Sequence, residues 1–286
     1  MRRGLTLLAL AQFAIGAAAI FARFALTGGG PIAISAARLT IAAIPVLIVA
    51  LLRGVYRVRD VATERRLAVA GIALALHFAF WISSLRYASV AVSTLLVCST
   101  PIWTELYVVA RTRRAQPLVI ASILLAISGV AVVVGFPSKT ETPLGIGLAI
   151  AGAIAVAVYL VLVRASDARY STLDVIARTY PSAALVLLVL TVPFRDPFPA
   201  ATDPRAWAGI LAMALISQLF GHTALNAAVR RLTPTFVATA TLIEPAIAGA
   251  LAAVIFGERL TAGTIAGAMI ILIAIGIALR AERART

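Results

Sequence analysis

Leu85-Arg86-Tyr87-Ala88-Ser89 closes one apolar stretch and opens a Ser/Thr-rich apolar run that ends in Pro101. About 144 residues later, Val229-Arg230-Arg231-Leu232-Thr233 stands before a similar run ending in Glu244-Pro245. Outward from these two segments the echo continues. Arg38 after Ala37 is matched by Arg178 after Ala177, and Arg23 at the end of the first apolar span by Arg164 at the end of the sixth. The offset drifts only from about 140 to about 147 residues, as small loop insertions would cause. The chain therefore reads as a duplication, residues 1–140 and 141–286, with five spans in each half. Because five is odd, the second half enters the membrane inverted relative to the first. Inverted halves are a known way to build a site reachable from either face of a bilayer, so the pattern points to a transporter.

Composition agrees. Of the 286 residues 62% are hydrophobic and only 13% charged, more hydrocarbon than any water-soluble core needs. Ten apolar stretches are each long enough, at about 20 residues, to cross roughly 30 Å of lipid. They run Leu5 to Leu26, Pro31 to Leu52, Leu67 to Tyr87, Ala91 to Ala110 and Pro117 to Gly135. The second half gives Leu144 to Arg164, Leu173 to Phe194, Trp207 to Val229, Pro234 to Phe256 and Thr261 to Leu279. The expected fold is thus all-α, a polytopic membrane protein of ten transmembrane helices built as a five-plus-five inverted repeat.

The formal charge of +14 would suggest nucleic acid in a soluble protein. Its placement gives another meaning. The termini and every second turn hold the arginines, among them Arg53, Arg57, Arg59, Arg111, Arg164 and Arg230, while the opposite turns hold only Arg86, Lys139, Arg195, Arg205 and Arg259. By the positive-inside rule both termini face the cytoplasm, and the arginine excess is a topology signal. The first span is too long and too smoothly joined to Pro31 for a cleaved signal and is expected to remain as a helix. Cys98, the single cysteine, lies inside the fourth span and excludes both an internal disulfide and a multi-cysteine metal site.

Tyr87-Ala88-Ser89, the Ser/Thr-rich run into Pro101, Glu244-Pro245 and Phe256-Gly257-Glu258-Arg259-Leu260-Thr261 resemble the EamA family of the drug/metabolite transporter superfamily. Each motif is short; their order and spacing across the whole chain carry the resemblance. It implies export of small metabolites, often amino acids, across the bacterial inner membrane. Within the family the chain looks most similar to amino-acid exporters, including those for aromatic amino acids. Small multidrug exporters of the same superfamily use a carboxylate in their first helix. Here the first span has only Gln12 as an interior polar residue, so that proton-exchange scheme does not carry over.

Candidate site residues follow from depth. If spans three and four form a hairpin, with eight and nine as its inverted copy, residues equidistant from each turn lie level. His77 is then level with Thr100, and His222 with Glu244. The repeat sets Thr100 opposite Glu244. A carboxylate at mid-bilayer is costly unless it faces a cavity or a partner, so Glu244 is the most informative single residue, against a protonated packing role. Helical spacing adds Trp81 beside His77, and Trp103 and Tyr107 beside Thr100, against ordinary helix packing for each. Pro101 and Pro245 remove a backbone bond each and free the carbonyls of Val97 and Thr241, giving kinks at matching places. Glu105, about 200° around the helix from Trp103, is expected to pair with an arginine. Arg38 and Arg178 are expected to anchor helix ends or snorkel, with a substrate carboxylate as the other reading. Glu258 reads as a cap on the turn into span ten. Gly263 and Gly267 have the spacing for close packing, against span five or in a dimer.

There is no Gly-x4-Gly-Lys-Ser/Thr loop for a primary pump, and His77, His222 and Cys98 form no recognised catalytic set. The expected function is therefore a secondary or facilitative exporter of small metabolites, neutral or aromatic amino acids foremost, with a proton-coupled multidrug or organic-cation exporter as the alternative. No cofactor and no nucleic acid is expected. The partners are the small-molecule substrate, the bilayer and, for coupled transport, protons; the chain is expected to act as a monomer.

Overall fold

The computed structural model describes residues 2–88, 90–134, 142–256 and 262–285; Lys139, Glu258 and Arg259 lie outside them. Every element among the described residues is helical. The first half holds α1 (Arg2–Gly16), α2 (Ala18–Ala25), α3 (Pro31–Leu52), α4 (Val61–Ser84), α5 (Val90–Val97), α6 (Thr100–Thr112) and α7 (Pro117–Val134). The second holds α8 (Pro143–Arg164), α9 (Thr172–Phe194), α10 (Pro204–Ala212), a π-helical stretch (Met213–His222), α11 (Thr223–Val229), α12 (Pro234–Thr241), α13 (Glu244–Phe256) and α14 (Ala262–Arg285). Six continuous helical stretches are long and apolar enough to cross a membrane: Arg3–Ala25, Pro31–Leu52, Val61–Ser84, Pro143–Arg164, Thr172–Phe194 and Pro204–Val229.

Helix starts follow the local chemistry. Asp60 accepts from the Thr63 amide at the start of α4, Thr142 from Gly145 at α8, Asp203 from Ala206 at α10, and Thr233 from Phe236 at α12. Ser171 and Asp174 close a reciprocal capping box on α9. At α3, where Gly30 offers no side chain, the Asp196 carboxylate from beyond α9 accepts from the amides of Ile32 and Ala33. That acid also suits the positive end of the helix.

Two apolar stretches that read as single spans are each split. Residues 91–110 divide between α5 and α6 at Cys98-Ser99, and residues 234–256 between α12 and α13 at Leu242-Ile243. In both, the second helix begins one residue before the proline, where its missing N–H has no helical partner to lose. The carbonyls freed by the two prolines are both engaged. Thr100 Oγ1 donates to Val97 O at 2.8 Å, and Cys98 Sγ to Thr241 O at 3.9 Å. The Cys98 contact ties one break to the other.

The halves interleave. α3 packs chiefly on α9, α7 on α14, α4 on α8, and α1 with α2 on α10, the π-helical stretch and α11. The expected hairpin of spans three and four is a minor contact: α4 lies mainly against α8 and α9, and meets α5 only slightly. Small residues set the closest approaches. A Cβ on Gly129 of α7 would lie 2.9 Å from Ile271 and 3.0 Å from the carbonyl oxygen of Gly267 in α14, so Gly267 is spent on packing against α7.

Candidate functional site

The helix breaks and the α4–α8 contact together leave a cavity of about 70 Å³ in the middle of the bundle. His77, Trp81, Thr100, His222 and Glu244 all line it, with Phe78 and Cys98 between them. Its walls come from both halves: α1, α2, α4, α5 and α6 from the first, α8, the π-helical stretch, α11, α12 and α13 from the second. Two of the seven residues singled out by sequence lie elsewhere. Trp103 is half-buried and turns its Nε1–H back to Ser99 Oγ at 3.2 Å, while Tyr107 is 45% exposed. Neither lines the cavity. The buried face of α6 runs through Thr100, Pro101, Thr104 and Glu105 instead, and Glu105 accepts from Thr235 of α12 at 3.2 Å.

The cavity side chains are held from behind. His77 Nδ1 lies 3.0 Å from the carbonyl oxygen of Gly152 in α8, so Nδ1 carries the proton it donates there. Its ring stacks on Trp81, with centroids 6.1 Å apart and planes 9° from parallel. Phe78 meets the His222 ring edge-on at 5.3 Å. The backbone around His222 is fixed by Asn226, which donates to His222 O at 2.8 Å and accepts from Tyr159 at 2.6 Å. A π-helical turn pairs residues five apart instead of four, and such turns recur where a helix presents a functional side chain. Here the stretch carries Gln218 and His222 inward.

Arg38 is the residue whose place the sequence left most open. It neither caps nor snorkels: it is wholly buried, with its guanidinium 4.0 Å from the centroid of Phe78. Among the described residues, none of its three nitrogens has a hydrogen-bond partner. The Phe78 face offers a desolvated cation about 2 kcal/mol. Burying an ion costs several kcal/mol even after relaxation, so the ring does not offset it. Glu244 and Tyr180 lie within electrostatic range but form no ion pair with it. Nearby buried groups are also unpartnered, among them His222 Nδ1, Trp81 Nε1 and both side-chain polar atoms of Gln218.

Its counterpart is the opposite case. Arg178 donates Nε to Glu64 at 2.7 Å and Nη1 to the carbonyl oxygen of Asp174 at 3.1 Å. Around it the arginine-rich turns are laced shut. Arg59 bonds Asp174 at 2.7 Å, Tyr170 donates to Glu64 at 2.8 Å, and Arg230 reaches Ser166 Oγ and the carbonyl oxygen of Tyr170. Beside this cluster the Arg169 guanidinium holds the Asp167 carboxyl down at about 2.

A helical bundle with several helices long and apolar enough to cross a membrane, and a cavity where polar and aromatic side chains from both halves meet, suits a membrane transporter of small solutes. The EamA-like transporter family matches residues 2–135 and 143–280, and the chain belongs to that family. It is a multi-pass membrane protein of a family of transporters, not of enzymes. None of the curated proteins compared matches it. A solved structure described as "Crystal structure of protein" is similar in fold, with a TM-score of 0.79 at 19% identity, covering 98% of this chain and 97% of that one.

Proposed function

We propose that this chain exports neutral, larger amino acids across the inner membrane, with both termini cytoplasmic, by exposing the central cavity to each side in turn. The observation that carries the reading is the convergence of His77, Trp81, Thr100, His222 and Glu244, drawn from both halves, on one cavity. Apolar and aromatic walls supply affinity, and a few polar groups orient the ligand. The family's match in two successive stretches and the cross-half pairings of α3 with α9 and α7 with α14 support two five-helix halves related by an in-plane axis. On this reading the arginine-rich end is cytoplasmic.

An organic-cation exporter is the competing reading, since Glu244 and Trp81 together could hold a cation. The unpartnered charge of Arg38 beside them disfavours it. Uptake of a radiolabelled amino-acid panel and of organic cations into proteoliposomes, with and without a pH gradient, separates the two. Transport of Phe, Trp, Met or Leu in preference to Asp or Lys is expected; transport of cations alone would overturn the reading. A cysteine at Lys139 should react with an impermeant reagent in intact cells, and one at Arg57 should not.

A further inference from the structure

We propose that Arg38 recognises the carboxylate of the transported amino acid, and that Phe78 is the movable partition between it and the cavity. The proposal rests on the amino-acid reading above and names the group that selects for it.

Three observations carry it. The first is the missing partner. The duplication gives each half an arginine at the same place, in α3 and in α9. Arg178 meets Glu64 in the first turn of α4, but the first turn of α10 contains no acid, and Asp203 before it is engaged as the cap. Arg38 is therefore left with three buried nitrogens to which no described residue is hydrogen-bonded. A planar guanidinium is the side chain best shaped to take a carboxylate through two parallel hydrogen bonds.

The second observation is what separates Arg38 from the cavity. Phe78 is both a cavity wall and the ring that the guanidinium covers at 4.0 Å. The third is size. The cavity, at about 70 Å³, is far below the several hundred Å³ of an ordinary small-molecule site, so a ligand needs room that this conformation does not provide. Rotation of Phe78 would add volume on the side where the unpartnered nitrogens of Arg38 lie. It would also put a cation and the Glu244 carboxylate on the same enlarged cavity. A zwitterion fits such a pair, its carboxylate on Arg38 and its ammonium on Glu244, while an amine or an ester answers only half of it.

The test uses competition on the unaltered protein in proteoliposomes, with labelled leucine as substrate and unlabelled leucine, leucine methyl ester and isoamylamine as competitors. Leucine should compete about tenfold or more better than the ester or the amine, because each lacks the carboxylate that a charge-assisted pair requires. Equal competition by the ester would overturn the assignment of Arg38 while leaving amino-acid export standing. Transport of the amine but not of leucine, or of neither, would sink both. Arg38→Gln should then lose leucine transport and the preference for leucine over its ester, with Arg38→Lys restoring part of each. If Arg38→Gln folds and keeps the wild-type preference, Arg38 is not the recogniser. Should that variant fail to fold, Phe78→Leu, which keeps an apolar side chain but removes the ring, should change affinity for leucine more than for the amine; an equal change would count against the partition.

Discussion

Trp103 shows at the scale of one side chain what the sequence offered and how it was outweighed. Glu105 lies about 200° from Trp103 on the same helix, so only one of them could face inward. A carboxylate turned toward lipid is much costlier than an indole, and the structure buries Glu105 against Thr235. That cost turns Trp103 and Tyr107 away from the cavity, whose aromatic lining comes from Trp81 and Phe78. Trp81→Ala should therefore lower transport of Phe and Trp more than that of Ala or Thr, by roughly threefold to tenfold, the worth of an offset-stacked ring. Trp103→Ala should lower all four in equal proportion. A size-selective loss in Trp103→Ala, measured in the same proteoliposomes, would return that ring to the site. Glu244 was legible because an acid deep in an apolar run has few reasons to be there. Arg38 was legible only as an alternative to a helix anchor, because nothing in a sequence says that a buried arginine lacks a partner. Where transport is proton-coupled, Glu244→Gln should cut pH-driven accumulation about tenfold or more while sparing exchange of substrate for substrate, since the amide cannot release a proton. Unchanged accumulation would remove Glu244 from coupling.

Whole elements were the most legible level. The spans read from Pro31, Leu144 and Trp207 begin within a few residues of the helix starts at Pro31, Pro143 and Pro204, where proline suits the first helical position. The breaks at Cys98-Ser99 and Leu242-Ile243 follow from Pro101 and Pro245, and Thr100 takes the freed Val97 carbonyl locally. The π-helical stretch Met213–His222 had no local signal, because its residues have ordinary helical preferences; it packs on α1 and α3. The neighbours of each helix were also hidden: α4 turns to α8 across the repeat boundary, although its sequence neighbour is α5. Packing of α7 on α14 depends on the absence of a side chain at Gly129. Gly129→Val would press its Cβ onto the Gly267 carbonyl and Ile271, a contact at 2.9–3.0 Å. Overpacking of this kind costs about 1–3 kcal/mol, so the variant should show a lower unfolding temperature in detergent. An unchanged midpoint would mean that α7 and α14 separate without cost.

Across the whole molecule, Arg38 and Arg178, matched by sequence, stand in opposite states, and on the alternating-access reading proposed above that difference makes the arginine-rich end the closed one. Arg178, Glu64, Arg59, Asp174, Tyr170 and Arg230 join the turns after α3, α8 and α11 at the arginine-rich end. On that reading, opening the cavity toward that end requires parting these contacts. Acid should weaken the turn next to them late: Arg169 holds the Asp167 carboxyl at about 2, below its ordinary 3.8. A depressed carboxyl contributes above its ordinary value and is lost as pH falls toward the lower one, so this contribution should persist down to about pH 4 and fade from there toward 2. Glu64→Gln acts without acid. It removes the charge opposite Arg178 and the acceptor charge for Tyr170, and leaves a buried guanidinium less well matched, which disfavours the closed end relative to the open one. Cys98 reports the outcome directly, because it is the only cysteine in the chain and lies on the cavity wall. In inside-out vesicles, alkylation of Cys98 by an impermeant maleimide should be several-fold faster in Glu64→Gln than in the unaltered protein. In right-side-out vesicles it should be slower or unchanged, since one cavity cannot open further to both faces at once. Equal acceleration from both faces would mean general loosening, and no acceleration from either would mean that the cluster fixes the turns without gating the cavity.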